Sequence, residues 1–522
     1  MKKRILILLF CILFALCSCS DDYGRSETPS SPNGSTPQGA ITILCDRSDA
    51  FNPYTAKSET NRNLCLLLFD PLIRLDNNFN IDYCLANDIK LDGALCTVTL
   101  KDACFSDFSK VTSEDIVYSF NAAIKSSTRY GAQLKDAATI EADGEKTVIF
   151  TLKKSDPYFV NLLDFPIVKN GTLDMKDQDG VLLTPVGCGR YTLAKEKDAL
   201  YANRNYYKES ANINKINLLH APDYASVEHY VEVGASSVYF TDISDGNIIR
   251  MSGKKTDVNL NSFVYIGINS AVGSLAGKNM RYAISSAINR AAICSNAYHN
   301  NAISATGFFN PDFELAKPVQ SINSVNNNEI TVENLKQIGY NKLDSEGYYV
   351  NSFGNKPTYS LLVNKENAMR VHAAKLIASQ LKAAGISAVV VEKPYDQYIA
   401  DITSNQFELY LGETTVAGNM DLSSLVVPGG ALAFGVGFGK TNAADDETEE
   451  TIPEKTPCAI AMENFYQGKS TVTDLAGVLL TEMPQIPICY RTGKFFYADS
   501  IGGEVVSSFS DIYFSINSYT IK

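Results

Sequence analysis

The chain has 522 residues, 45% of them hydrophobic and 20% charged, a balance that excludes a disordered or low-complexity protein and leaves room for two or three packed domains. Its net charge of −12 sets an acidic surface against any phosphate backbone, which argues against nucleic acid as a partner. Aromatic surface comes from 28 Tyr and 25 Phe, with no Trp.

Met1–Arg4 is basic, and Ile5–Leu16 is an apolar run too short to span a membrane. Leu16-Cys17-Ser18-Cys19 then precedes an abrupt turn to polar residues. This looks like a lipoprotein signal, 1–19, cut before a lipid-modified Cys19. Two acyl chains there, at about 0.8 kcal/mol per buried CH₂, make a stable anchor. Residues 20–39, rich in Pro, Ser and Gly, read as a flexible tether. Of 12 cysteines, Cys11 and Cys17 leave with the signal and Cys19 is lipidated. The nine that remain include no C-x-x-C pair, so no metal site is expected and at least one thiol is free. Sequence leaves open whether a pair such as Cys96 and Cys104 forms a disulfide.

Ala40–Cys45 reads as a strand and Asn52-Pro53 as a break. Thr97–Leu100 is a short strand. At 112–124, Thr112 or Ser113 caps a helix whose first turn carries Glu114 and Asp115 and whose buried stripe is Ile116, Val117, Phe120, Ala123 and Ile124. Two neighbouring acids invite an acid–base reading; a solvated first turn is the better account. Thr139–Ala142 and Lys146–Leu152 form a hairpin around Asp143-Gly144, and a helix runs from Asp156 to about Leu163. Gly187 and Gly189 imitate a phosphate cradle, but Tyr191–Leu193 reads as strand and no helix follows, so a tight turn is expected.

Ser262–Asn269, S-F-V-Y-I-G-I-N, reads as a buried strand. After a loop marked by Gly273 and Gly277, Met280, Ala283, Ile284, Ala287, Ile288 and Ala291 recur at helical spacing. Arg281, Ser285, Ser286, Asn289 and Arg290 fall on the other faces of this amphipathic helix. From 330 to 411 helix and strand alternate: helix Thr331–Ile338, strand Lys356–Val363, helix Ala368–Ala384 with Gly385 as its stop, strand Ile386–Val391, helix Tyr395–Thr403 and strand Phe407–Leu411. That alternation predicts an α/β region with substantial parallel pairing. Residues 440–457 are an acidic loop, and Val472–Glu482 is a helix.

Several stretches carry a resemblance. They are V-Y-I-G-I-N at 264–269 with K-N-M-R-Y-A-I-S-S-A-I-N-R at 278–290, L-C-L-L-L-F-D-P-L-I-R-L within Arg62–Leu75, and I-D-Y-C-L-A at 81–86. Val111–Phe120, Thr184–Tyr191 with Asn203–Tyr207, and M-P-Q-I-P-I-C-Y at 483–490 follow in the same order. Together they resemble the extracellular solute-binding proteins of family 5, the oligopeptide-, dipeptide- and nickel-binding proteins of ABC importers, from about residue 40 to 522. The resemblance implies an α/β, two-lobed periplasmic-binding-protein-like fold (type II, cluster C-like) with an extra domain. Domain I would collect 40–80, 181–258 and 481–522; domain II would be 81–180 and domain III 259–480. Hinge closure over a ligand follows from that architecture.

By the same resemblance, Tyr130 in R-Y-G-A faces the cleft from domain II; a packing aromatic is its alternative. Thr415, Val416, Ala417, Gly418, Asn419 and Asp421 belong to the segment that lines the cleft and offers backbone groups to an extended peptide. Many peptide-binding members place an aspartate after the alanine matching Ala417, where it pairs with the peptide ammonium. Here Gly418 stands there, and an unpaired buried ammonium is expensive. Asp421 is the expected substitute and Glu413 the next.

Enzyme readings find little support. Gly435–Thr441 lacks the first glycine of a phosphate loop, since Phe434 occupies it, and there is no G-x-S-x-G or H-E-x-x-H. The four histidines are dispersed; His372 lies on the apolar face of its helix, a core or boundary residue. The expectation is therefore a lipid-anchored, extracytoplasmic, monomeric binder of a peptide or other small solute, without cofactor, serving ABC importer permease subunits. A surface receptor or adhesin on the same fold, a binder of a sugar or metal chelate, and an extracellular enzyme are the alternatives.

Overall fold

A computed structural model describes residues 40–243, 249, 251–316, 325–437 and 455–522. The signal, Cys19 and the tether lie outside these residues, as does all of the acidic loop before Lys455.

Three sheets organise the chain. The first runs Ile41–Cys45, Lys215–His220, Ala199–Ala202, Tyr191–Leu193, parallel between its first two strands and antiparallel beyond. The second is antiparallel, in the order Ala86–Asp92, Leu95–Leu100, Thr147–Leu152, Ala137–Asp143. Sequence reading finds the hairpin here and misses Ala86–Asp92, whose apolar alternation is short, only Ile89 and Leu91 between Asp88, Lys90 and Asp92. Helix Ser113–Lys125 packs on this sheet through Ile116, Phe120 and Ala123. Its acidic first turn is only half solvated. Glu114 is exposed, but Asp115 is buried: its carboxylate accepts from Thr112 N and Oγ1, closing a capping box, and from Asn170 N at 2.8 Å.

The third sheet has seven strands. Lys254–Ile268 is its hub, antiparallel to both Gln485–Tyr497 and Leu409–Thr415. The expected parallel pairing is confined to Thr358–Asn364 with Ser387–Lys393 and Leu409–Thr415. Along the hub, Phe263 and Tyr265 join the core shared with the first two sheets, while Val264, Ile266 and Ile268 join the core under the α/β layer. Two-sided burial is why the stretch reads as an unbroken apolar run.

The helix expected over 280–291 is two helices. Lys278–Ala287 ends where Ile288 turns extended, and Asn289 caps Arg290–Asn296 by accepting from Ala292 N at 3.0 Å. An asparagine side chain that bonds to the backbone competes with helix continuation. Of the residues expected on the other faces, only Asn289 is exposed. Arg281, Ser285, Ser286 and Arg290 are all buried, and Arg290 donates to Pro487 O at 2.7 Å and Ser285 O at 3.1 Å. His372 goes the other way and is exposed. Gly187 and Gly189 make the expected close turn and no phosphate cradle: a Cβ at 189 would meet the Leu68 carbonyl carbon at 2.4 Å. All nine described cysteines are free, Cys96 buried and Cys104 half-buried.

The arrangement is a two-lobed α/β fold, with the hub strand and Gln485–Tyr497 adjacent in the third sheet.

Candidate functional site

A cavity of about 940 Å³ opens between the first sheet's loops, the second sheet's helix and the C-terminal residues 508–512. Tyr130 lines it. The helix Arg129–Gln133 that carries Tyr130 sits against the end of Ser113–Lys125, and Gly131 permits the approach: a Cβ there would meet Ser126 O at 2.2 Å. The Tyr130 ring meets Tyr54 edge-on at 6.3 Å, and the Arg129 guanidinium lies 4.6 Å over its face. Arg129 also lies 5.3 Å over Phe509 and pairs with the buried Asp164 at 2.8 Å. Burial pushes the Tyr130 hydroxyl up to about 12.

The segment 415–421 is positioned by a bulge in the hub strand. Register shifts between Asn259 and Ser262, with Asn261 at φ 49°, a left-handed conformation that asparagine tolerates. Asn310 Nδ2 staples the bulge by donating to Asn259 Oδ1 at 2.9 Å and Asn261 Oδ1 at 3.0 Å. Asn261 then holds the segment: Val416 N donates to Asn261 O at 2.9 Å, and Asn261 Nδ2 donates to Val416 O at 2.8 Å. Thr415 is exposed, Val416 buried and Ala417 half-buried.

Beyond Ala417 the segment meets the loop 154–161 that follows the second sheet. Asn161 Nδ2 donates to Gly418 O at 3.0 Å, and Asn419 Nδ2 donates to Asp156 Oδ2 at 2.7 Å. The absence of an aspartate at 418 now has a steric reason. A Cβ there would lie 2.9 Å from both Asn161 O and Leu75 Cδ1. Asp421 accepts from Ser423 N at 2.8 Å and from the Ser423 hydroxyl, and lies 3.8 Å from the Lys154 ammonium. Burial works to raise its carboxyl, but Ser423, the Tyr466 hydroxyl beside it and Lys154 outweigh that and hold it below its ordinary value. Asp156 shows the opposite balance: burial pushes its carboxyl up to about 6, the neighbouring Asp421 adds to the rise, and the bonds from Asn419 and Tyr158 N only partly offset it.

Glu413 has no capacity left for an ammonium. Its Oε1 accepts from Arg491 Nε at 2.5 Å and Ser262 Oγ at 2.6 Å, its Oε2 from Arg370 Nε at 2.9 Å and Nη2 at 2.8 Å. The structure thus gathers Val416–Asp421 against loop 154–161, while Tyr130 lines a cavity to which none of Thr415–Asp421 contributes. The two are bridged by Gln133 Nε2, which donates to Leu162 O at 3.2 Å and Asp164 Oδ1 at 2.8 Å. Sequence reading missed Tyr54, Lys57, Arg62 and Lys125, which also line the Tyr130 cavity; they sit in unremarkable local patterns and meet only on folding. Among the described residues, no group of three His, Cys, Asp or Glu is placed to hold a metal ion.

Comparison with known proteins gives this geometry a setting. Residues 80–428, more than half of the chain, match the family described as bacterial extracellular solute-binding proteins, family 5, middle region. The oligopeptide-binding protein AppA of Bacillus subtilis is 23% identical over 417 residues, covering 74% of this chain and 76% of that protein. A nickel ABC transporter protein from Bacillus halodurans superposes with TM-score 0.73 at 18% identity, covering 93% of this chain and 100% of that one. The open, unliganded murein tripeptide-binding protein MppA superposes with TM-score 0.72 at 17% identity, covering 93% and 99%. The chain belongs to the bacterial extracellular solute-binding proteins of family 5, an extracytoplasmic family that binds solutes rather than transforming them.

Proposed function

We propose that the chain, anchored by lipid on Cys19, captures a peptide or peptide-like ligand between its two lobes and delivers it to the permease subunits of an ABC importer. The observation that carries this reading is the cavity of about 940 Å³ lined by Tyr54 and Tyr130, of a size that small organic ligands fill, in a member of a solute-binding family. The oligopeptide-binding AppA, matched over about three quarters of both chains, supports a peptide. In this reading domain I is 40–80, 181–258 and 481–522, domain II is 81–180 and domain III is 259–480. The contacts of Asn161 with Gly418 and of Asp156 with Asn419 then cross from domain II to domain III, as lobe closure requires.

Thr415, Val416, Ala417, Gly418, Asn419 and Asp421 do not line the Tyr130 cavity; in this reading they are a separate domain III subsite against loop 154–161, with Asp421 as the ammonium partner in place of the absent aspartate. A free-amine peptide and its N-acetylated form, titrated into wild type and Asp421→Asn, test this. Wild type is expected to prefer the free amine and Asp421→Asn to lose that preference. Equal binding of both forms by wild type overturns the ammonium anchor and favours a sugar, metal chelate or other solute.

A further inference from the structure

Acids outnumber bases 58 to 46 in the whole chain, yet the Tyr130 cavity is lined by Lys57, Arg62, Lys125 and Arg129 and by no aspartate or glutamate. Arg129 is already neutralised by Asp164 at 2.8 Å. The other three are exposed and, among the described residues, pair with no carboxylate. Arg62 donates Nη1 to Lys57 O, which ties the two cations to one rim. The nearest acids along the chain do not serve them. Asp49 Oδ2 accepts from Lys57 N at 2.9 Å and Ser58 N at 2.7 Å, and neither Asp49 nor Glu59 lines the cavity.

The rest of the wall mixes aromatic and apolar residues, among them Tyr54, Tyr130, Phe240, Leu260 and Phe509, with neutral hydrogen-bonding ones such as Asn63 and Thr128. Three like charges around one concave wall add their fields, so an anion there is attracted more than on the open, acidic surface, in a salt-dependent way. A guanidinium fork suits a carboxylate, which accepts two parallel bonds from it, and the two ammonium groups lining the same cavity add to the attraction. The space is much larger than a single inorganic anion needs, so the anionic group belongs to a larger organic ligand.

We infer that Lys57, Arg62 and Lys125 form an anion subsite that takes the carboxylate-bearing end of the ligand. The inference rests on the solute-binding reading above and adds the chemical class of the ligand's second end. For a peptide, the carboxylate end would then be held in this cavity, apart from the Asp421 subsite proposed for the ammonium.

The test uses three probes with the full-length protein in detergent: tetra-alanine free acid, tetra-alanine C-terminal amide, and tricarballylate as a non-peptide carboxylate. Each is titrated calorimetrically into wild type and into a Lys57→Gln/Arg62→Gln/Lys125→Gln variant whose melting curve is checked first. The free acid is expected to bind about ten- to a hundredfold more tightly than the amide, a gap that closes in the variant and narrows with salt. If neither peptide binds but tricarballylate does, and the variant loses it, the anion subsite stands while the peptide reading falls. Equal binding of acid and amide overturns the subsite and leaves the peptide reading intact. An acid preference that persists in the folded variant, or no binding by any of the three probes, also overturns it.

Discussion

Arg190 and Asp511 are 321 residues apart in sequence and meet at 2.6 Å, both about 99% buried. Asp511 Oδ2 also accepts from Arg74 Nε at 3.0 Å, and Arg74 in turn pairs with Asp70. Two buried arginines and two buried aspartates thus balance one another and tie the C-terminal residues to the first sheet's lobe. Asp511→Ala leaves two guanidiniums short of charge in a dry site and is expected to cost about 3–5 kcal/mol. Losing Lys90, an exposed residue 3.9 Å from Asp88, should change stability by less than about 1 kcal/mol. Urea unfolding of the two alanine variants reads the contrast; comparable midpoints would contradict it.

Gly189 and Gly477 should respond to alanine in opposite directions. At 189 the new methyl would meet the backbone at Leu67 O, 2.5 Å, and Leu68 C, 2.4 Å, so about 1–3 kcal/mol is lost to overpacking. Gly477 lies inside helix Val472–Glu482 with nothing within 4 Å of the added carbon, and Gly477→Ala is expected to stabilise by about 0.5–1 kcal/mol. Thermal melts of the pair decide it.

Asp156 makes stability pH-dependent. Its carboxyl titrates at about 6 in the fold against 3.8 when unperturbed, so between these values the folded state holds the proton and the unfolded state has released it. The group therefore destabilises the fold progressively as pH rises from about 4 to 6, by up to about 2–3 kcal/mol. Asp156→Asn removes that slope. Loss of the bond from Asn419 adds a constant offset, so the measurement is the difference in melting temperature, variant minus wild type, which should climb from pH 4 to pH 7. A difference that is flat across this range would show that Asp156 ionises as an ordinary carboxyl.

Tyr130→Phe keeps the ring over which Arg129 lies and removes only the hydroxyl. A hydroxyl that bonds ligand predicts about tenfold weaker binding with an unchanged melting temperature. Tyr130→Ala should lose stability as well, by about 3–5 kcal/mol, because the ring also packs on Tyr54. If the Phe variant binds as wild type does, Tyr130 serves packing alone.

Cys19→Ala tests the anchor in cells. Without the acceptor thiol the protein should appear in a soluble fraction or remain as uncut precursor. Normal processing with an unchanged membrane fraction would overturn lipidation at this residue.

What the sequence by itself determined was local or familial. Helix Tyr395–Thr403 and helix Val472–Glu482 lie where periodicity put them, and the hairpin at Asp143-Gly144 and the stop at Gly385 follow from turn and cap chemistry within a few residues. The ordered motifs identified the family, and with it the two-lobed α/β fold. Only the tertiary structure decided what required distant residues to meet. The asparagine bulge at 259–261 is set by Asn310, and Gly418 is needed because Asn161, 257 residues away, packs against it. Glu413 looks like a free acid in sequence and is enclosed by Arg370 and Arg491 in the fold. The cations at 57, 62 and 125 come to line one cavity only when helix Glu59–Leu68, with the loop before it, and the end of the helix on the second sheet come together. Periodicity encodes which face of an element is apolar; it carries no information about which polar group arrives on the other side, because that contact is chosen by packing across the whole chain.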